Sequence, residues 1–156
     1  MGDSDEIARL LHDFNTEFAT PTPGFEVLAR RLNSLLSGSD SFAVLAGAPA
    51  VAVALATQRP NVWYDGPVVI LDELYVVPAL RNQGIGSAVI ECLASECRAR
   101  GVELIEINVD EADVDTQRFY ERHGYSGLEE TTGERAFYYF KELPERQQPE
   151  AEGQPD

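Results

Sequence analysis

The chain has 156 residues, enough for one domain with its own core and no need of disulfide or metal staples. Hydrophobic residues make up 44% and charged residues 25%, an ordinary globular balance, yet the formal net charge is −15. That excess of acid argues against nucleic-acid binding, which needs a basic stripe, and against docking on anionic membranes; a cationic partner or substrate suits it better.

The chain opens on a helical pattern. Ile7, Leu10, Leu11, Phe14 and Phe18 recur at helical spacing, with Asp3 or Ser4 as the expected cap and Asp5 and Glu6 in the first turn. Asp13 and Glu17 lie on this helix four apart, and a solvated face is the expected role for them. Thr20-Pro21-Thr22-Pro23-Gly24 breaks the helix, and a second follows over Phe25–Leu36. Strands are predicted at Phe42–Ala46 and Val51–Thr57, around a Gly47-Ala48-Pro49 turn. Trp63 and Tyr64 fall in the next turn, where they could form an aromatic lip of a cleft, pack, or make a dimer contact. Pro67–Val77 is apolar on both faces and reads as a central strand.

Gly84 to about Arg100 reads as a helix capped by Gly101, and Leu104–Val109 as a strand. Asp113–Arg122 is a short helix closed by Gly124, and Tyr125 and Ala136–Lys141 supply the last strands. The order ααβββαβαββ implies an α/β (α+β) sandwich built on a mixed sheet. Residues 1–141 form the expected single domain. Residues 142–156, with five acids and one arginine, are expected to be a disordered tail. Cys92 and Cys97 sit five apart, a spacing that suits neither a bridge nor a metal site. With no leader-like start, they give the expectation of a reducing, cytoplasmic setting.

Chemistry concentrates in Leu71–Ala88. A strand carrying Asp72-Glu73-Leu74-Tyr75-Val76 runs into Arg81-Asn82-Gln83-Gly84-Ile85-Gly86-Ser87 and then a helix. Small residues let the backbone approach an anion closely, and the free N–H groups of a helix start point at it. Arg81 could add a charge-assisted contact. The Walker pattern fails because no Lys-Ser/Thr follows the second glycine. The dinucleotide fingerprint fails because Val89 fills its third small position. An ordinary strand-to-helix turn with incidental glycines is the plain alternative.

Two motifs, Leu74-Tyr75-Val76-x-Pro78-x-x-Arg81-x-x-Gly84-x-Gly86 and Phe119-Tyr120-Glu121-Arg122-His123-Gly124-Tyr125, resemble those of the GNAT superfamily (GCN5-related N-acetyltransferases) over roughly Ile7–Lys141. The element order is similar to that fold, with the usual first strand missing. The resemblance implies acetyl-CoA as co-substrate, no metal, and direct transfer without an acyl-enzyme. It implies that main-chain groups of Leu74, Tyr75 and Val76 pair with the pantetheine arm. Asn82, Gln83, Gly84, Ile85, Gly86 and Ser87 would hold the pyrophosphate, beside Arg81. Tyr120 stands where the family often has its general acid; packing is the other role for it. Asp113 stands where the family often has Asn, and an ionised carboxylate accepts but cannot donate a hydrogen bond.

A carboxyl in the middle of a central strand is costly unless paired or solvated by a cleft, so Asp72 and Glu73 are the base candidates. Strand alternation predicts that they face opposite sides of the sheet. The run looks like that of diamine and polyamine acetyltransferases, where the first acid lies in the amine site, which by position selects Asp72. Capping a backbone group or pairing with an arginine is the other role for either. His12 and His123 read as surface or packing residues. The expected activity is acetyl transfer to a primary amine of a small cationic acceptor. Peptide or protein acetylation, and a non-catalytic acetyl-CoA-binding module, stay open as alternatives. So does a homodimer.

Overall fold

A computed structural model describes residues 2–143. Its helices are α1 (Asp3–Glu17), α2 (Phe25–Leu36), α3 (Ile85–Ala99) and α4 (Val114–Arg122), and its strands are β1 (Ser41–Ala46), β2 (Ala52–Arg59), β3 (Val68–Val76) and β4 (Leu104–Ile107). The strands form one mixed sheet in the order β1-β2-β3-β4. β1–β2 and β2–β3 pair antiparallel, and β3–β4, joined through α3, pair parallel. This is the expected α+β sandwich.

The sheet divides two cores. On one face Val53, Leu55 and Tyr75 pack with Ile7, Leu10, Leu11 and Leu32 of α1 and α2. On the other, Ala52, Ala54, Ala56, Val69 and Leu71 pack with Val89, Ile90, Leu93 and Cys97 of α3 and Tyr120 of α4. The alternation of β2 between the cores explains its continuous burial. Cys92 is exposed and Cys97 buried, both free. Among the described residues, no helix is long and apolar enough to cross a membrane.

Three details differ from expectation. The cap of α1 is Gly2, whose N–H is met by the Asp5 carboxylate at 3.2 Å, so Asp3 and Ser4 already lie at and within the helix start. β4 stops at Ile107, because only four of its residues find partners on β3. The final strands do not form. The segment after α4 turns back on itself through a single bridge, Leu128–Arg135, and Phe137–Phe140 stay exposed. A strand-like pattern becomes a strand only where a ladder accepts it, and an isolated two-stranded turn is marginal in water. Most of the acidic tail, residues 144–156, lies outside the described residues.

Candidate active site

The site begins where β3 and β4 part. Their pairing runs from Val68–Leu104 to Leu71–Ile107 and ends there, while β3 continues to Val76 beside β2. The Val77 N–H donates to the Val51 carbonyl at 3.0 Å. Backbone direction alternates along a strand, so Tyr75 and Glu73 also address β2. Leu74 and Val76 therefore turn their N–H and C=O toward the flank that β4 has left, where Arg81 Nε already takes the Val76 C=O. An extended amide-bearing ligand could complete that flank like another strand.

The loop after β3 is shaped for an anion. A short 3₁₀ turn, Pro78–Leu80, leads to Asn82 and Gly84, both in the left-handed region at φ of 60° and 83°. Gly84 caps α3, and a Cβ there would meet nothing within 4 Å. Its need for glycine is therefore conformational, and the space beside it is open. Ala88 is the first residue of α3 whose N–H reaches back, to the Gly84 carbonyl at 3.0 Å. The N–H groups of Ile85, Gly86 and Ser87 are the free donors of the helix start. Gly86 lies against α4: a Cβ there would lie 3.5 Å from the Phe119 ring, an ordinary contact. The Ser87 hydroxyl and His123 Nε2 are hydrogen-bonded at 3.0 Å, a second link between these helices. Free donors, open space and unpaired strand groups together fit the pyrophosphate and amide arm of a CoA thioester.

Asp72 and Glu73 do not face opposite sides. The β2–β3 register shifts by one between Leu55 and Ala56, so that Leu55 opposes Glu73 and Ala56 opposes Leu71, with Asp72 in the bulge. A bulge places two successive side chains on one face. Glu73 shares the face of its partner Leu55, the α1–α2 side. The Asp72 carboxylate accepts from the Thr57 hydroxyl at 2.7 Å, and Thr57 bonds Ser41 on the same side. Burial raises the Asp72 carboxyl, against the opposing effect of the Thr57 hydrogen bond. Burial raises that of Glu73 too, and the charge of Asp72 adds to it.

Tyr120 is buried on the opposite face, 5.2 Å from the Phe119 ring and 5.6 Å from that of Tyr125. Burial pushes its phenol far above the ordinary value, with smaller contributions from Tyr125, Glu73 and Asp113. Asp113 is the N-cap of α4, its carboxylate accepting from the Thr116 N–H at 3.0 Å. A capping role explains an Asp there, and it orients the helix that carries Tyr120.

Arg81 lies at the loop, but its guanidinium turns toward α1. Nη1 and Nη2 donate to the two carboxylate oxygens of Glu17, each at 2.7 Å, and Nε donates to the Val76 carbonyl at 2.9 Å. Glu17, though still partly exposed, is thus tied to the loop. The sequence held one signal for this: a carboxylate in the last turn of a helix, where the dipole disfavours it. Trp63 and Tyr64 precede β3 and so sit at the end of that strand away from the loop. Trp63 is exposed, and Tyr64 lines a separate hollow with Arg59 and Asp65.

Comparison with known proteins agrees with this geometry. A protein from Arthrobacter sp. FB24, provisionally named an acetyltransferase, has a crystal structure with 50% sequence identity and a TM-score of 0.85, over 90% of each chain. An aminoglycoside acetyltransferase from an uncultured soil metagenomic sample, solved with sisomicin, shares the fold at 19% identity and a TM-score of 0.72, over 91% of each chain. The aminoalkylphosphonate N-acetyltransferase of Salmonella typhimurium is 40% identical over 55 residues, which is 35% of this chain and 36% of that one. The acetyltransferase (GNAT) family model matches residues 5–125. Parted strands, anion loop and family match agree: the chain belongs to the GNAT acetyltransferases, enzymes that use acetyl-CoA.

Proposed function

We propose that this acetyltransferase moves an acetyl group from acetyl-CoA directly to a primary amine of a small cationic acceptor. The observation that carries the reading is the bulge at Asp72, which puts two carboxylates side by side on the face walled by α1 and α2, next to the point where β3 and β4 part. The thioester supplies an activated acyl carbon and a thiolate leaving group. The remaining tasks fall to the chain.

An alkylammonium ion has no free lone pair. With a pKa near ~10.4, freeing it at pH 7 costs about 4–5 kcal/mol, so a proton acceptor is needed. Glu73 suits that role: half-buried and raised, it accepts a proton more readily than a solvated carboxylate. Asp72, exposed and steadied by Thr57, suits attraction of the cation. The backbone N–H of Leu74 or Val76 on the open flank suits the developing oxyanion. Tyr120 keeps its phenol protonated at neutral pH, so a proton is in place for the departing thiolate, although burial makes the phenol a weaker acid than an exposed tyrosine.

The similarity to enzymes named for aminoglycoside and aminoalkylphosphonate acceptors supports a small amine-bearing acceptor. The test is CoA release from acetyl-CoA with a panel of diamines, aminoglycosides, aminoalkylphosphonates, arylamines and peptide N-termini. Faster turnover of the cationic small amines is expected. A preference for peptides, or no turnover beside tight acetyl-CoA binding, would overturn the reading.

A further inference from the structure

We propose that Glu17 is a positioning residue for the acyl-donor side of the site: by clamping Arg81, it holds the end of β3 and the loop beyond it in the shape that an anionic ligand requires. The proposal rests on the acetyltransferase reading of that loop.

Four observations converge. Glu17 is the last residue of α1, a turn with no basic residue, where the helix carbonyls oppose a carboxylate. It is retained there in a two-pronged pair with Arg81, both bonds at 2.7 Å. The third donor of the same guanidinium serves the Val76 carbonyl, on the flank of β3 that has lost its strand partner. Arg81 therefore stands in for a missing ladder donor at the point where the sheet opens. The guanidinium also lies over the Tyr75 ring, 5.5 Å from its centroid, and Tyr75 packs on Phe14 of α1 at 5.3 Å. With Nε and both Nη groups committed, Arg81 acts as a strut between α1 and the loop.

The loop needs such a strut. Asn82 and Gly84 both hold left-handed conformations, and Asn82 does so without the freedom of a glycine. If Glu17 loses its charge, Arg81 is released, the Val76 carbonyl loses its donor, and the ligand must reorder the loop on binding. The effect falls on acetyl-CoA affinity and not on the proton transfers near Glu73 and Tyr120.

The test is a calorimetric titration of the full chain with acetyl-CoA, for the wild type, Glu17→Gln, Arg81→Gln and the double variant, with melting curves and steady-state kinetics alongside. Glu17→Gln is expected to weaken acetyl-CoA binding roughly five- to tenfold, raising KM for acetyl-CoA while kcat at saturation stays within about twofold. The double variant should bind no worse than Arg81→Gln alone, because both residues act through one clamp. Glu17→Asp, which keeps the charge, should recover most of the affinity and covers the case of a glutamine variant that folds poorly. Unchanged or tighter binding in Glu17→Gln, beside weaker binding in Arg81→Gln, would overturn the proposal and make Arg81 a direct anion contact. A lower melting point with unchanged affinity would overturn it too, leaving Glu17 a stabilising pair only. No acetyl-CoA binding by the wild type would remove the acetyltransferase reading itself.

Discussion

The molecule places carboxylates in two opposite situations, both facing the α1–α2 side of the parted strands. At the bulge, Asp72 and Glu73 stand side by side, paired with no cation among the described residues, and both are raised. At the end of α1, Glu17 is held by Arg81, and that bond draws its carboxyl below the ordinary range. The first arrangement opposes folding and suits chemistry. The second suits folding and the shape of a loop. On the proposed reading, stability and reactivity belong to different acids.

Several substitutions would break or sharpen that contrast. The largest effect is expected from Tyr120→Phe, which keeps the ring in its buried place and removes only the hydroxyl: turnover should fall roughly 10²–10⁴-fold with acetyl-CoA affinity little changed, read from steady-state kinetics and titration. Glu73→Gln should lower turnover roughly 10–100-fold while leaving the protein as stable or more so, since it removes a half-buried charge beside a like one. Its pH profile is equally informative. The rising limb of kcat/KM, set by the raised carboxyl, should disappear in the variant.

Glu17→Gln should act in the opposite direction on stability. The pair is partly exposed, so the loss is discounted to about 1 kcal/mol or less, or about 2–4 °C in the melting curve. The pH dependence carries the same contrast in sign. Glu17 is lowered in the folded state, so its contribution is present above about pH 4.5 and is lost as pH falls through the folded value. Glu73 is raised, so folding binds its proton, and that contribution fades as pH rises from about 4.5 through the folded value. Melting curves of the two glutamine variants between pH 3 and 8 should diverge from the wild type in opposite directions. The smallest effect belongs to Tyr139→Ser, in the exposed segment beyond α4: within about 0.5 kcal/mol by denaturant titration.

What the sequence made legible was local. Gly84 and the run from Arg81 to Ser87 pointed to a tight turn running into a helix, because left-handed turns and helix starts impose requirements on adjacent residues, and the structure has both. The strand order up to β4 followed from short-range periodicity. Three features were not legible, for one reason. The bulge at Asp72 depends on the register of β2 against β3, and alternation counted along one strand cannot reveal it. The Glu17–Arg81 pair joins residues 64 apart in sequence. The final strands fail although Ala136–Lys141 has a strand's composition, because no ladder receives them. Asp113 looked like a departure from the family pattern, and its capping bond to Thr116 supplies the local reason for it.

The central claim is that an acidic face selects a cationic amine for acetyl transfer. Its most direct test is kcat/KM for a diamine and for a neutral, low-pKa arylamine, with wild type and Asp72→Asn, at low and at physiological ionic strength. Charge selection predicts that Asp72→Asn lowers the diamine value far more than the arylamine value, and that added salt narrows the wild-type preference. Equal losses for the two acceptors, with no salt dependence, would contradict it.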